Sequence, residues 1–419
     1  MTTRTIGALF LALALIAAAC SSGDESSTPP DTAPDVNTTT EAAPTTEAAT
    51  ETTSEPFVAP SVPATAPLPD GEPPLSPSKP GDYNVGRQSL QILDDVRFRS
   101  LPVDVWYPTN ATVSDPAIYT FIPGVSLPSD TAFEGAPLAD GGPFPVVVYS
   151  HGSGGQSYIA SFFTETLASH GFVVIAPNHV GNTATEVLFG AGDEPEVIAY
   201  NRPADTAFVI TEMLAMSADT DSPFFAFMDP ERIGMAGHSF GGFTAYAAAG
   251  GLPTVDDDVT AVPVDERIDA IVAMAPVTSI LPPNVLASIT IPSMVITGTD
   301  DQTTPLDPES TRAFEQVNSG YAYRVDLEAA GHQSFTDVCD YQQKLPTIEG
   351  IPEQLVEVID EFALAGCQPG QMPYDRAKEL TNQYVISFFL AHVAGDESYR
   401  LLLTPEFTSA DADVEFLTR

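Results

Sequence analysis

Gly234-Met-Ala-Gly-His-Ser-Phe-Gly-Gly242 carries the pattern G-x-S-x-G at positions 237–241, and the residues on either side decide how that pattern is read. Arg232-Ile-Gly-Met-Ala236 has the character of a short buried strand, and Gly242-Phe-Thr-Ala-Tyr-Ala-Ala-Ala249 that of an opening helix. A serine at a sharp strand-to-helix turn is thrust clear of the backbone. The chain can double back there only if the positions two before and two after carry no side chain. Ser239 is therefore the candidate nucleophile. A pentapeptide arising from composition alone would leave the strand and helix flanks unexplained.

Outward from this turn, apolar runs of strand length alternate with longer segments of helical period. Strands are expected over 144–149, 172–176, 268–273, 293–297 and 321–327, with residues 103–107 in an antiparallel hairpin that begins the sheet. Helices are expected over 158–170, 205–216, 243–249, 310–317 and 376–393. This alternation predicts an α/β class: a mostly parallel central sheet with helices on both faces. Three longer stretches, 182–201, 250–266 and 335–374, exceed simple connections and are expected to wall or cover a substrate site.

A serine hydroxyl is a weak nucleophile near neutrality and needs a histidine base, itself oriented by a carboxylate. For a fold of this kind the expected chain order is Ser, then Asp or Glu, then His. The strand 293–297 ends in Gly298-Thr-Asp-Asp-Gln-Thr-Thr-Pro305, which leaves Asp300 and Asp301 both open as the acid. Glu328-Ala-Ala-Gly-His-Gln-Ser-Phe335 follows the next strand and places His332 on a loop suited to the base. His170 and His392 fall in or at helices, and His151 and His179 precede the serine. His238 lies inside the turn itself, aimed away from its neighbour's hydroxyl. Two N–H donors are needed for the oxyanion. Phe240, directly after the nucleophile, supplies one, and the glycine-rich turn Tyr149-Ser-His-Gly-Ser-Gly-Gly155 supplies the other at Ser153.

Across roughly Tyr83 to Val393 the chain resembles the α/β-hydrolase group that contains predicted dienelactone hydrolases, platelet-activating-factor acetylhydrolases and cutinase-like polyester hydrolases. The resemblance rests on Arg97-Phe-Arg-Ser-Leu-Pro-Val-Asp-Val-Trp-Tyr-Pro108, Tyr149-Ser-His-Gly152, Asn178-His-Val-Gly-Asn182, Gly237-His-Ser-Phe-Gly-Gly242 and Gly331-His-Gln-Ser-Phe335. The first, third and last are most like the acetylhydrolase branch. The resemblance implies carboxylic ester hydrolysis without metal or cofactor. It also implies Asp301 as the acid, since enzymes of this kind commonly place it four residues before a proline, here Pro305. Polyester hydrolases usually offer an aromatic residue at the first oxyanion position and a tryptophan beside the site. Here the position is Ser153 and the single tryptophan is Trp106, which argues against an aromatic polyester substrate. The remaining readings are a polyester hydrolase and, from another class, an inactive hydrolase fold serving as a surface binding protein.

At the N-terminus Arg4 precedes an apolar run from Ile6 to Ala19, too short to span a membrane, so residues 1–19 read as a secretory signal. Ile16-Ala17-Ala18-Ala19-Cys20 resembles a bacterial lipobox, which implies lipid attachment at Cys20 and tethering outside the cytoplasm. Residues 20–80 are rich in Pro and Thr without helical or strand period and read as a disordered stalk. Residues 81–419 form the catalytic domain, expected to be monomeric. The chain holds 57 acidic against 15 basic residues, a formal charge of −42, which excludes nucleic acid and anionic lipid headgroups as direct partners. The membrane is reached only through the anchor, and the partner is a small or lipid-like ester. With Cys20 lipidated, Cys339 and Cys367 remain as an even pair, expected to form a disulfide in an oxidising compartment.

Overall fold

The structure is a computed structural model and describes residues 65–112, 115–255 and 260–419. The signal segment, Cys20, the stalk up to residue 64 and part of the 250–266 stretch lie outside the described residues.

In chain order the strands are β1 (Asn84–Asp94), β2 (Arg99–Thr109), β3 (Pro116–Ile122), β4 (Val125–Glu134), β5 (Phe144–Ser150), β6 (Val173–Pro177), β7 (Met228–His238), β8 (Ala270–Met274), β9 (Ser293–Gly298), β10 (Ala322–Leu327) and β11 (Val414–Thr418). They form one sheet in the order β11-β10-β9-β8-β7-β5-β6-β2-β1-β4-β3. From β6 to β10 every neighbouring pair is parallel. β2 joins β6 antiparallel, with Val103 opposite Pro177, and β11 closes the far edge antiparallel to β10.

The main helices are α1 (Ser161–Ser169), α2 (Ala184–Phe189), α3 (Pro195–Ala218), α4 (Phe240–Gly250), α5 (Pro283–Ser288), α6 (Thr311–Gln316), α7 (Val338–Lys344), α8 (Glu353–Ala363) and α9 (Tyr374–His392). Every residue of β5, β6, β8 and β9 is buried, as expected of parallel strands covered on both faces. Alternate residues separate the two faces. Val147, Tyr149, Val174, Ala176, Val272 and Met274 share one cluster with Phe163 and Leu167 of α1 and Phe388 and Phe389 of α9.

The sequence-derived strands all form, with ends shifted by a few residues. Helix α3 is longer than expected, running from Pro195 rather than from Asp205 and absorbing the end of the 182–201 stretch. Pro203 inside it reads locally as a breaker, while tertiary packing holds the helix through it. The 335–374 stretch contains α7 and α8. These pack with β3 and β4 around Val125, Tyr341 and Leu345. The β3–β4 hairpin was not anticipated: β4 carries Pro128 and the β3–β4 register shifts at two points, which blurs the period of two.

Residues 65–80, assigned by sequence to the stalk, run against the domain. Arg400 takes the carbonyls of Ala66 and Pro67, and His170 Nε2 lies 2.9 Å from Lys79 O. Among the described residues, contacts with the domain are already present at Thr65, whose Oγ1 donates to Gly320 O. Composition alone could not show these contacts, because a proline-rich strand can still accept hydrogen bonds at its carbonyls.

Candidate active site

The chain winds from β5 outward to β6 on one side, and from β7 through β8 and β9 to β10 on the other. The reversal between β5 and β7 makes the carboxyl ends of these strands the switch point of the sheet, the place where ligands of open α/β sheets bind. The loop after β5 carries Ser153, and the turn after β7 carries Ser239.

Ser239 separates β7 from α4 and holds φ 56° and ψ −118°, a left-handed conformation costly for a non-glycine residue. Its surroundings fix it. Ser239 N donates to Met274 O at 2.8 Å, and its carbonyl accepts from Gly242 N at 2.9 Å and Val277 N at 3.3 Å. A Cβ on Gly237 would collide with the Gly241 carbonyl, and one on Gly241 with the Ser150 carbonyl. These two glycines are required sterically, as the pattern predicts.

Asp301 follows β9, is 2% exposed, and places Oδ2 2.8 Å from His332 Nδ1. Its Oδ1 accepts from Thr303 N at 2.8 Å and Thr304 N at 2.9 Å. Burial alone would raise the carboxyl's pKa. The facing His332, and hydrogen bonds from His332 and Thr304, outweigh burial and hold Asp301 below its usual value. Nδ1–H of His332 then points to Asp301, leaving Nε2 as the base. Asp300 is exposed and uses its amide on Ala330 O at 3.0 Å. Of the two candidates, Asp301 is the one that meets His332.

His332 lies against the elbow through His238: their ring centroids are 4.7 Å apart, and His238 Nε2–H donates to His332 O at 2.9 Å. Burial first, then the neighbouring His332, push the His238 pKa down to about 3, so it is a neutral brace. Among the described residues no hydrogen bond joins Ser239 Oγ to His332, a looseness common in unliganded sites.

Near the oxyanion position, a Cβ on Gly152 would sit 3.3 Å from Ser239 Cβ and 3.2 Å from His238 Nδ1, so the β5 loop passes directly over the nucleophile. Ser153 is half-buried and its Oγ accepts from Asn182 Nδ2 at 3.0 Å. Phe240 opens α4 with its ring under the guanidinium of Arg202, 5.2 Å from the ring centroid. His151, within this loop, and His179, after β6, are completely buried.

Sequence reasoning missed three contributors. Thr304 Oγ1 lies 2.9 Å from Asp301 Oδ2, 3.1 Å from His332 Nδ1 and 3.0 Å from Ala275 O. Asp-x-x-Thr over 301–304 is a local signal that could have suggested it. Arg202 and Asn182 carry no such signal, because their partners are remote in sequence. A cavity of about 440 Å³ among α1, α7, α9 and β4 contains none of the candidate catalytic residues. Among the described residues no group of three His, Cys, Asp or Glu is placed to hold a metal.

The predicted disulfide is present: Cys339 and Cys367 are bonded, with Cα atoms 5.5 Å apart. It joins the start of α7 to the segment after α8. Gln333 N donates to Ala365 O at 2.7 Å, so that segment runs directly beside the loop carrying His332.

The profile of the family described as platelet-activating factor acetylhydrolase, isoform II, matches residues 120–200. That stretch includes Ser153 and Asn182 and stops short of Ser239. No curated protein matches the chain. Among solved structures, a ferulic acid esterase from Streptomyces cinnamoneus matches with a TM-score of 0.58 at 24% identity, covering 82% of this chain and 98% of its own. The chain thus has the α/β-hydrolase fold.

Proposed function

We propose, from an α/β-hydrolase fold with an elbow serine beside a bonded Asp–His pair, that the protein is a serine carboxylic-ester hydrolase. The observation that carries this reading is the 2.8 Å contact between Asp301 Oδ2 and His332 Nδ1, on a loop packed against the residue preceding Ser239. The acetylhydrolase family match over 120–200 supports it.

Ser239 Oγ attacks the ester carbonyl carbon while His332 Nε2 takes its proton, and Asp301 stabilises the imidazolium. The oxyanion is received by the amides of Phe240 and Ser153. Collapse breaks the bond to the alcohol, which leaves with the proton from His332. Water, deprotonated by His332, then attacks the acyl carbonyl, and the acid leaves as the bond to Ser239 Oγ breaks and His332 returns the proton to that oxygen. We further propose that the substrate is a short-chain acyl or lipid-like ester, and that the enzyme is held outside the cytoplasm by lipid on Cys20. The Cys339–Cys367 bridge is compatible with that compartment.

Hydrolysis of p-nitrophenyl esters of graded acyl length tests the reading. Short acyl groups are expected to be favoured over chains of about ten carbons, in keeping with the acetylhydrolase family match over 120–200. Ser239→Ala is expected to lose turnover by several orders of magnitude with the fold intact. Retention of more than about a tenth of wild-type activity in that variant would refute the assignment, and inertness of the wild type towards every ester would favour a binding protein.

A further inference from the structure

Arg202 of α3 is 1% exposed, yet its hydrogen bonds go to neutral oxygens. Nη1 donates to Asn182 Oδ1 at 2.7 Å and Nη2 to Ser150 Oγ at 3.0 Å. Nη2 also donates to the carbonyl of His151, while Nε has no partner. A buried charge held without a bonded carboxylate is costly. Burial drives the pKa of this guanidinium down to about 9, although Asp205 opposes the shift. A chain whose other arginines mostly find carboxylates has placed this one where it costs stability.

Each arm of Arg202 leads to a candidate oxyanion donor. Asn182, bonded through Oδ1 to Arg202, donates through Nδ2 to Ser153 Oγ at 3.0 Å. The His151 carbonyl is the root of the same loop, and the face of the guanidinium lies on Phe240. Behind it runs a chain of donation. Arg202 Nη2 gives to Ser150, Ser150 Oγ lies 2.9 Å from His179 Nε2, and His179 Nδ1 lies 3.3 Å from Asp205 Oδ2. Asp205 is clamped by Arg97 and Arg99. Ser150, His179 and Asp205 have no exposed surface, so this second Ser–His–Asp set braces the loop and does not meet substrate.

We propose that Arg202 is a positioning residue of the oxyanion hole, fixing the Ser153 and Phe240 amides against Ser239. The proposal rests on the serine-esterase reading. An anchor of this kind acts on the transition state, where charge develops on the carbonyl oxygen, and little on ground-state binding.

The test compares Arg202→Lys and Asn182→Ala with wild type in four measurements: kcat, KM, inhibition by an aliphatic trifluoromethyl ketone, and thermal midpoint. Such a ketone adds to the nucleophile and forms a stable oxyanion. Asn182→Ala leaves the buried charge in place and carries the test if Arg202→Lys fails to fold. In both variants kcat is expected to fall by about ten- to a hundredfold with KM within about threefold, and inhibition by the ketone to weaken in parallel. Folded variants that keep kcat and ketone inhibition within about threefold of wild type, or that lose only KM, would overturn the proposal. Labelling of wild type with a fluorophosphonate, located by mass spectrometry, separates the two levels. A label on Ser239 with unaffected variants refutes only the role of Arg202, and a label elsewhere refutes the esterase reading and this proposal together.

Discussion

Asp300 and Asp301 are adjacent in sequence and differ in nearly every physical respect. Asp301 is buried, accepts two backbone amides and meets His332, whereas Asp300 is exposed. Asp301→Asn should lower kcat by about a thousandfold or more, because the imidazole loses both its orientation and the charge that stabilises its cation. Asp300→Asn should leave kcat within about twofold, as an exposed surface substitution does. The check is steady-state hydrolysis of a p-nitrophenyl ester by both variants, and a reversed outcome would place the acid one residue earlier. This distinction was not legible in the residues alone. Both aspartates suit a strand end, and only the turn in which Thr303 and Thr304 donate to Asp301 aims one of them inward.

At the scale of elements, the segment over 335–374 acts on the base loop from behind. A Cβ on Gly331 would come within 2.6 Å of Ala365 O, and one on Gly366 within 2.7 Å of Ser334 N, so the two backbones pack with no side chain between them. The Cys339–Cys367 bridge fastens the outer of these two segments one residue beyond Gly366. Opening the bridge in the Cys339→Ser/Cys367→Ser double variant should cost about 3 kcal/mol of stability. It should also lower kcat several-fold, since a shift of about 1 Å in a catalytic group can cost on the order of a hundredfold. Denaturant unfolding and ester turnover check both parts. Lost stability with unchanged turnover would show that the bridge holds the insertion but not the base. The cysteines were legible as a pair from compartment and count, while the contact of Ala365 and Gly366 with the His332 loop had no sequence signal.

For the whole molecule, the net charge of −42 is not the only source of pH sensitivity. Lys79, Lys344 and Lys378, the three lysines of the chain, all line the 440 Å³ cavity. There Lys344 and Lys378 pair with Asp130 and Asp340. The buried histidines dominate the acid side. Burial lowers His151 well below its usual value, His179 to about 4, and His238 and His392 to about 3. A depressed histidine means that the unfolded chain binds more protons below about pH 6.5, so stability falls as pH falls through the window down to the native value. Each such group contributes a slope of about 1.4 kcal/mol per pH unit. Burial acts the opposite way on Glu165, Asp269, Asp326 and Asp337, whose raised values favour the native state on acidification, but these four are fewer than the five histidines that burial lowers, His170 included. The urea midpoint should therefore drop markedly between about pH 7 and about pH 5. A midpoint that is flat or rises would show that relief of carboxylate repulsion outweighs the histidines.

By itself the sequence determined the elbow at Ser239, the strand and helix alternation, the order serine, then Asp300 or Asp301, then His332, and the pairing of Cys339 with Cys367. These are legible because each is set by local chemistry: a period, a sterically required glycine, a strand end, or a count. Tertiary structure alone decided that Asp301 rather than Asp300 faces His332 and that α3 runs through Pro203. It alone decided that residues 65–80 lie on the domain, and that Arg202 and Asn182 stand behind the candidate oxyanion loop. Each of those depends on partners tens or hundreds of positions away. A contact between remote segments leaves no period in either of them, and becomes visible only when folding brings the two together.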